Sequence, residues 1–279
     1  PLFINILAEC VLMRFRDIIG IIIILVLIVV FPVIGLYGDW LWFVSLDYQG
    51  VFLTSLYAKL LLAALTGIIF FVVMYLTIRI AKKRLKKPSK HMAPLIGVVA
   101  LLSLFVAAGF SGGWLTYLSF LNATDFGVTD PVFNNDIGFY VFSLPFYSYI
   151  LSFLTVLIVF SLIFTIITYV YCGERKKEKT GTTETEEIIV KTDAFSLPRQ
   201  AKPHVFVLTG ILFLVIAAWA LIAQFGILFS STGAVFGATF ANLHVLLPAL
   251  YVIAVLSVIV ALALFSRKFR LQKLSFIVF

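Results

Sequence analysis

Six stretches of this chain, at residues 18–37, 56–80, 94–112, 146–172, 205–229 and 245–265, are apolar around most of their helical circumference, with no Asp, Glu, Lys, Arg or His near their middles. A helix needs about 20 such residues to cross the hydrocarbon core of a bilayer. The rest of the composition agrees. Apolar residues make up 62% of the 279 and charged residues 12%, against roughly 45–50% and about 25% in soluble chains. Those proportions exclude a soluble domain, a disordered chain, a collagen-like repeat and a disulfide scaffold. The expected fold is all-α: a polytopic membrane helix bundle of six transmembrane helices over residues 13–266, with an interfacial outer cap. Residues 1–12 read as an upstream extension of a natural start at Met13, and residues 267–279 as a basic tail running into a cut apolar segment.

The charges orient this bundle. Counting Arg79 at the very end of the second stretch, twenty of the 21 Lys and Arg residues lie on one side: before the first stretch, at or after the end of the second, between the fourth and fifth, or after the sixth. Lys59 is the exception, within about a turn of the opposite interface, where its stem can snorkel. Cations favour the cytoplasmic side of a membrane, so both termini are expected there, in a multi-pass protein of the cell membrane. The net charge of +8 thus reports topology, and nucleic acid is not an expected partner. The cytoplasmic segment 173–203 is polar, mixed in charge and expected to be mobile. Cys10 and Cys172 lack metal-ligand spacing and read as inert.

The outer segments, expected at 38–55, 113–145 and 230–244, carry Asp39, Asp47, Asp125, Asp130 and Asp136 and are dense in aromatic residues. Amphipathic rings favour the headgroup level, so these segments are expected to form an ordered cap with a helical turn or two around 136–142. Asp39, Trp42, Asp130, Phe133, Asp136, Tyr140 and His244 are its candidate organising and interaction residues.

Two places carry residue types that bind metals. Asp130, Asn134, Asn135 and Asp136 supply the oxygen ligands a hard cation wants, but without EF-hand spacing. Asp130-Pro131 reads better as a turn opener and Asp136 as a helix cap. His244 would need two or three further ligands to hold zinc and reads as a hydrogen-bonded interfacial histidine. The chain carries no nucleophile elbow, phosphate-binding glycine loop or redox cysteine pair. No catalytic residue, cofactor or metal is therefore expected. The hydroxyls of Thr66, Ser103, Thr155 and Ser161 are expected to bond locally or between helices, and Gly67, Gly97 and Gly109 to allow close helix packing.

Three groups of residues carry a resemblance: Asp39-Trp40-Leu41-Trp42-Phe43 with Tyr48 and Lys59; Asp130-Pro131-Val132-Phe133 with the run from Asp136 to Phe146; and Gly237-Ala238 with His244 and Leu247-Pro248-Ala249-Leu250. The chain resembles the N-terminal membrane region of the uncharacterised protein family UPF0182, in order and spacing over nearly all of 13–266. The resemblance implies a multi-pass cell-membrane protein with a large extracytoplasmic domain after about seven spans, and brings no activity or cofactor. The expected role is a non-enzymatic anchor or scaffold for an extracytoplasmic domain or envelope partner, with the lipid bilayer as its surroundings. The alternative is a channel or transporter for a neutral or lipid-like substrate. Oligomeric state is left open.

Overall fold

The computed structural model describes residues 20, 23, 30, 33–85, 93–172, 201–231 and 237–277. Among them the regular structure is helical: α1 (Gln49–Lys83), α2 (Ala93–Ser111), α3 (Trp114–Leu121), α4 (Leu144–Cys172), α5 (Lys202–Ala223) and α6 (Leu247–Ile277). A π turn, Phe139–Ser143, leads into α4; another, Asn242–Leu246, leads into α6; a 3-10 turn, Gln224–Phe229, extends α5. Five segments among the described residues are long and apolar enough to cross a membrane: Gln49–Lys83, Pro94–Ser111, Phe139–Tyr169, Lys202–Phe229 and Asn242–Arg267. The expected first span, 18–37, lies largely outside the described residues, as do residues 1–12 and 173–200. Lys202 and Pro203, expected in the cytoplasmic loop, already belong to α5.

The chain divides into two compact units between Tyr57 and Ala58. In the first, the expected outer loop 38–55 is corrected: residues 33–45 are helical, α1 starts at Gln49, and a three-residue turn joins them. Asp47 takes a left-handed conformation, φ 61°, which a short polar side chain tolerates. Tyr48 N–H closes the turn on the Phe43 carbonyl at 2.9 Å. Trp40 and Phe43 both pack on Phe52 across it, with ring centroids 5.4 and 5.7 Å apart. The aromatic residues that suggested an interfacial loop instead hold a tight helical hairpin together.

The second unit is organised around α4. One face of α4, Phe153, Leu157 and Phe164, packs with Phe70, Met74 and Ile78 of α1 and Val99 of α2. Another, Leu151 and Ile158, meets Val215 of α5, and Ala217 and Ala220 of α5 meet Ala254 of α6. Small residues let these last two backbones approach, the usual device where lipid removes the hydrophobic drive between helices. The α1–α2 contact uses the same device once: a Cβ on Gly67 would stand 3.0 Å from Ala107 Cβ. Among the described residues, a Cβ on Gly97 or Gly109 would meet no atom within 4 Å. Outward-facing side chains are bulky and apolar, with Leu104, Phe105 and Leu262 each more than 60% exposed. Apolar surface this extensive is what hydrocarbon solvates and water does not.

Several hydroxyls within the spans return to their own helices, whereas Thr165 Oγ1, buried in α4, has no hydrogen-bond partner among the described residues. Thr66, Thr155 and Ser161 donate to the carbonyls of Leu62, Leu151 and Leu157, each at 2.7 Å, and Ser103 donates to Ala100 at the same distance. Among the described residues, bonds between helical elements include Trp219 Nε1 to Thr155 Oγ1 at 2.9 Å and Tyr251 hydroxyl to Gln224 Oε1 at 2.7 Å. The unit therefore has two chemically distinct ends. Lys82, Lys83 and Arg84 close α1 at one end, where Ala81, Tyr169 and Ala201 cluster. Asp125, Asp130 and Asp136 lie at the other, where Lys59 Nζ stands 5.3 Å over the Trp114 ring, a cation–π contact.

Candidate functional site at the acidic end

The connection from α2 to α4 is shorter in irregular backbone than expected. Of the segment 113–145, α3 occupies Trp114–Leu121 and the π turn Phe139–Ser143 continues directly into α4, so the proposed interfacial turn around 136–142 is the first turn of a span. Apart from Gly113, only 122–136 is non-helical. Where α2 ends, the Phe110 carbonyl accepts two hydrogen bonds from outside its helix, from Gly113 N–H at 3.2 Å and from the Tyr149 hydroxyl of α4 at 2.6 Å.

Asp130 opens the first turn of this connection. Its Oδ1 accepts the N–H groups of Val132 and Phe133 at 2.8 and 2.6 Å, and its Oδ2 accepts Asn135 N–H at 3.0 Å and the Tyr140 hydroxyl at 2.7 Å. Pro131, which has no N–H, sits where the turn needs none. Asn134 adopts φ 57°, and Asp130 N–H donates back to the Asn135 carbonyl at 2.9 Å. Partial burial opposes the charge on Asp130. The donors Phe133, Tyr140, Asn135 and Val132 together outweigh it and hold the carboxyl below its usual 3.8.

Asp136 stands just before the helical residues that lead into α4. Its Oδ1 accepts Gly138 N–H at 2.6 Å, the bond of an N-cap, and also Phe126 N–H at 3.0 Å, while Oδ2 accepts Gly127 N–H at 2.8 Å. One carboxylate thus caps a helix and ties it to the strand-like start of the connection. An isolated antiparallel bridge between Thr129 and Asp136 extends the tie. The Phe126 and Gly138 N–H groups, with Gly127, lower the Asp136 pKa from 3.8 against a smaller cost of burial. Only glycine fits at 138: a Cβ there would lie 2.5 Å from the Thr124 carbonyl oxygen and 2.9 Å from Asp136 Oδ1.

Aromatic rings fasten this connection to α5. Tyr140 is buried, and Phe133, Phe139 and Tyr140 surround Phe225 with centroids 5.2, 5.0 and 6.0 Å away, each close to edge-on. Phe229 adds an edge contact to Tyr140 at 6.0 Å. Such edge-to-face pairs stabilise by about 0.5–1.5 kcal/mol each beyond their burial. Phe225 and Phe229 were not among the expected organising residues. Hydropathy placed them inside an expected span, and nothing local marks them as partners of residues 90 positions earlier.

Of the seven candidates, the structure brings four together: Asp130, Phe133, Asp136 and Tyr140. Asp39 and Trp42 belong to the first unit, both exposed, with Trp42 edge-on to Phe43 at 4.9 Å. His244 is exposed in the π turn before α6; its Nδ1 lies 3.1 Å from the Phe240 carbonyl and its ring stacks on Phe240 at 3.9 Å. Among the described residues, no three His, Cys, Asp or Glu side chains gather as metal ligands would. Each oxygen of Asp130 and Asp136 already accepts hydrogen bonds from this chain. Chemically the arrangement fixes backbone.

The sequence profile of the uncharacterised protein family UPF0182 matches residues 17–279. A UPF0182 protein from Pelotomaculum thermopropionicum is 32% identical over 268 residues, covering 85% of this chain and 28% of the relative. Those from Desulforamulus reducens and Frankia casuarinae are 30% and 31% identical, covering 85% and 93% of this chain and 28% and 26% of the relatives. The chain thus spans just over a quarter of the length of these curated relatives. No solved structure matches it. With the match running through nearly every helix described above, the chain belongs to the uncharacterised protein family UPF0182.

Proposed function

We propose that the chain is a non-enzymatic module of the cell membrane that anchors and positions an extracytoplasmic domain or envelope partner. Its basic end lies in the cytoplasm and its acidic, aromatic end outside. The observation that carries this reading is the α2–α4 connection, where Asp130 and Asp136 convert 15 or so residues of irregular chain into a fixed surface pinned to Phe225. A fixed outer surface suits positioning of a partner, because little ordering entropy is then lost on contact. The resemblance to a family with a large outer domain supports the same face.

The competing reading, a channel or transporter for a neutral or lipid-like substrate, needs a continuous path past Thr66, Thr155, Thr209 and Gln224. Thr66 and Thr155 bond to their own helices, Trp219 covers Thr155, and Gln224 is held by Tyr251. Those bonds favour a packed bundle. Affinity capture from native membranes, with mass spectrometry of bound protein, is expected to return an envelope partner or outer domain. Capture of no partner, together with saturable solute flux in reconstituted vesicles abolished by Gln224→Leu, would establish transport instead. Orientation is tested in a background lacking Cys10 and Cys172: Thr129→Cys is expected to react with an impermeant thiol reagent in intact cells, and Thr183→Cys not to react.

A further inference from the structure

A cleft of about 340 Å³ lies at the basic end, between α1 and α5. Val73, Leu76, Thr77 and Ile80 of α1, at helical three- and four-residue steps, form one wall with Arg84 just past the helix end; Pro203, His204, Val207 and Leu208 of α5 form the other. Its volume is that of a small ligand site, but its lining is mostly aliphatic, with Thr77, Arg84 and His204 as the polar side chains. Next to the cleft, Tyr169 sits edge-on to His204 at 6.2 Å and packs with Ala81 and Ala201. Every described carboxylate belongs to Asp39, Asp47, Asp125, Asp130 or Asp136, none of them on the elements that form this end. Among the described residues, Arg84 therefore has no acid to neutralise it, while Lys82 and Lys83 immediately precede it.

An apolar groove running along the membrane depth, closed at headgroup level by a guanidinium, has the two-part chemistry of a phospholipid. Basic pockets between helices on the cytoplasmic side are suited to anionic headgroups, and a planar guanidinium bonds phosphate oxygens in pairs. We propose that this cleft is a binding site for an anionic glycerophospholipid, with its phosphate on Arg84 and an acyl chain along Leu76, Ile80, Val207 and Leu208. Free phosphate has no use for aliphatic walls, and a zwitterionic lipid lacks the net charge that Arg84, with Lys82 and Lys83, attracts. The site lies away from the acidic end and stands independently of the anchoring role.

The test is native mass spectrometry of the full chain in detergent, titrated with phosphatidylglycerol or with phosphatidylcholine of the same acyl chains. Phosphatidylglycerol is expected to be retained preferentially. Arg84→Gln is expected to weaken its retention by at least about fivefold, the worth of one basic group near an anionic surface. Val207→Trp, which fills the groove without touching charge, is expected to weaken it comparably, whereas the exposed neighbour in Lys83→Gln is expected to change it less than about twofold. Circular dichroism identifies a variant that has failed to fold, leaving the other cleft variant to decide. Equal retention of the two lipids, equal losses in Arg84→Gln and Lys83→Gln, or displacement of the lipid by millimolar inorganic phosphate would each overturn the proposal.

Discussion

The entries to α4 and α6 are built to one local plan and stabilised in two different ways. Both begin with a five-residue π turn followed by Leu-Pro: Phe139–Ser143 before Leu144-Pro145, and Asn242–Leu246 before Leu247-Pro248. In both, the leucine N–H reaches back five residues, to Phe139 or Asn242. Proline has no N–H to give and its ring crowds the carbonyl four residues earlier, so a widened turn just before it relieves the conflict. There the likeness ends. The α4 entry is bound on one side by Asp130 and Asp136 and on the other by Phe225. At the α6 entry, His244 is exposed, and among the described residues its ring nitrogen reaches one turn back, to the Phe240 carbonyl. The proline sets the shape of an entry, and long-range partners decide whether it is fixed.

Breaking that difference should cost most where backbone meets backbone. Gly138→Ala places a methyl against the Thr124 carbonyl, and overpacking of this kind costs about 3 kcal/mol at the upper end of its range; the thermal midpoint should fall accordingly. Asp130→Ala leaves the N–H groups of Phe133 and Asn135 without their acceptor, and a loss of about 2 kcal/mol is expected, read from thermal or denaturant unfolding. Tyr140→Phe removes one of the four donors to the same carboxylate and should cost about 1 kcal/mol. His244→Ala, at the other entry, should stay within about 0.5 kcal/mol of the parent. A His244→Ala effect as large as that of Asp130→Ala would erase the contrast.

Acid sharpens the same comparison. The folded-state pKa values of Asp130 and Asp136 lie below 3.8, so their contribution to stability is present above that value and is lost as pH falls through the lower folded values. The Gly127 and Gly138 amide resonances should therefore move sharply only below about pH 3.8, together with loss of order in 122–138. Movement already complete at higher pH would mean that the carboxylates are not held by these bonds.

Much of this architecture was readable from the chain, and the failures have physical causes. The spans from α1 to α6 appeared as uncharged apolar runs because hydrocarbon selects composition along whole helices. Asp130-Pro131 and Asp136 were readable because a turn opener and a helix cap act within a few residues. Residues 38–55 were misread as loop because hydropathy marks where hydrocarbon ends, whereas a helix continues as long as its backbone bonds are satisfied. The sixth stretch was expected to start at 245, but the helix reaches back to Asn242 through a π turn. Phe225 was invisible as a partner of Phe133, Phe139 and Tyr140, since that cluster exists only after α5 has packed on α4.

The most direct test of the central claim is hydrogen–deuterium exchange of the full chain in lipid nanodiscs, comparing the amides of 126–138 with those of 237–246. The carboxylate-held connection should protect Phe126, Gly127, Phe133 and Gly138 strongly, while the His244 entry exchanges much faster outside its π turn. Fast exchange throughout 125–138, matching or exceeding that of 237–246, would contradict an ordered outer surface and with it the anchoring role.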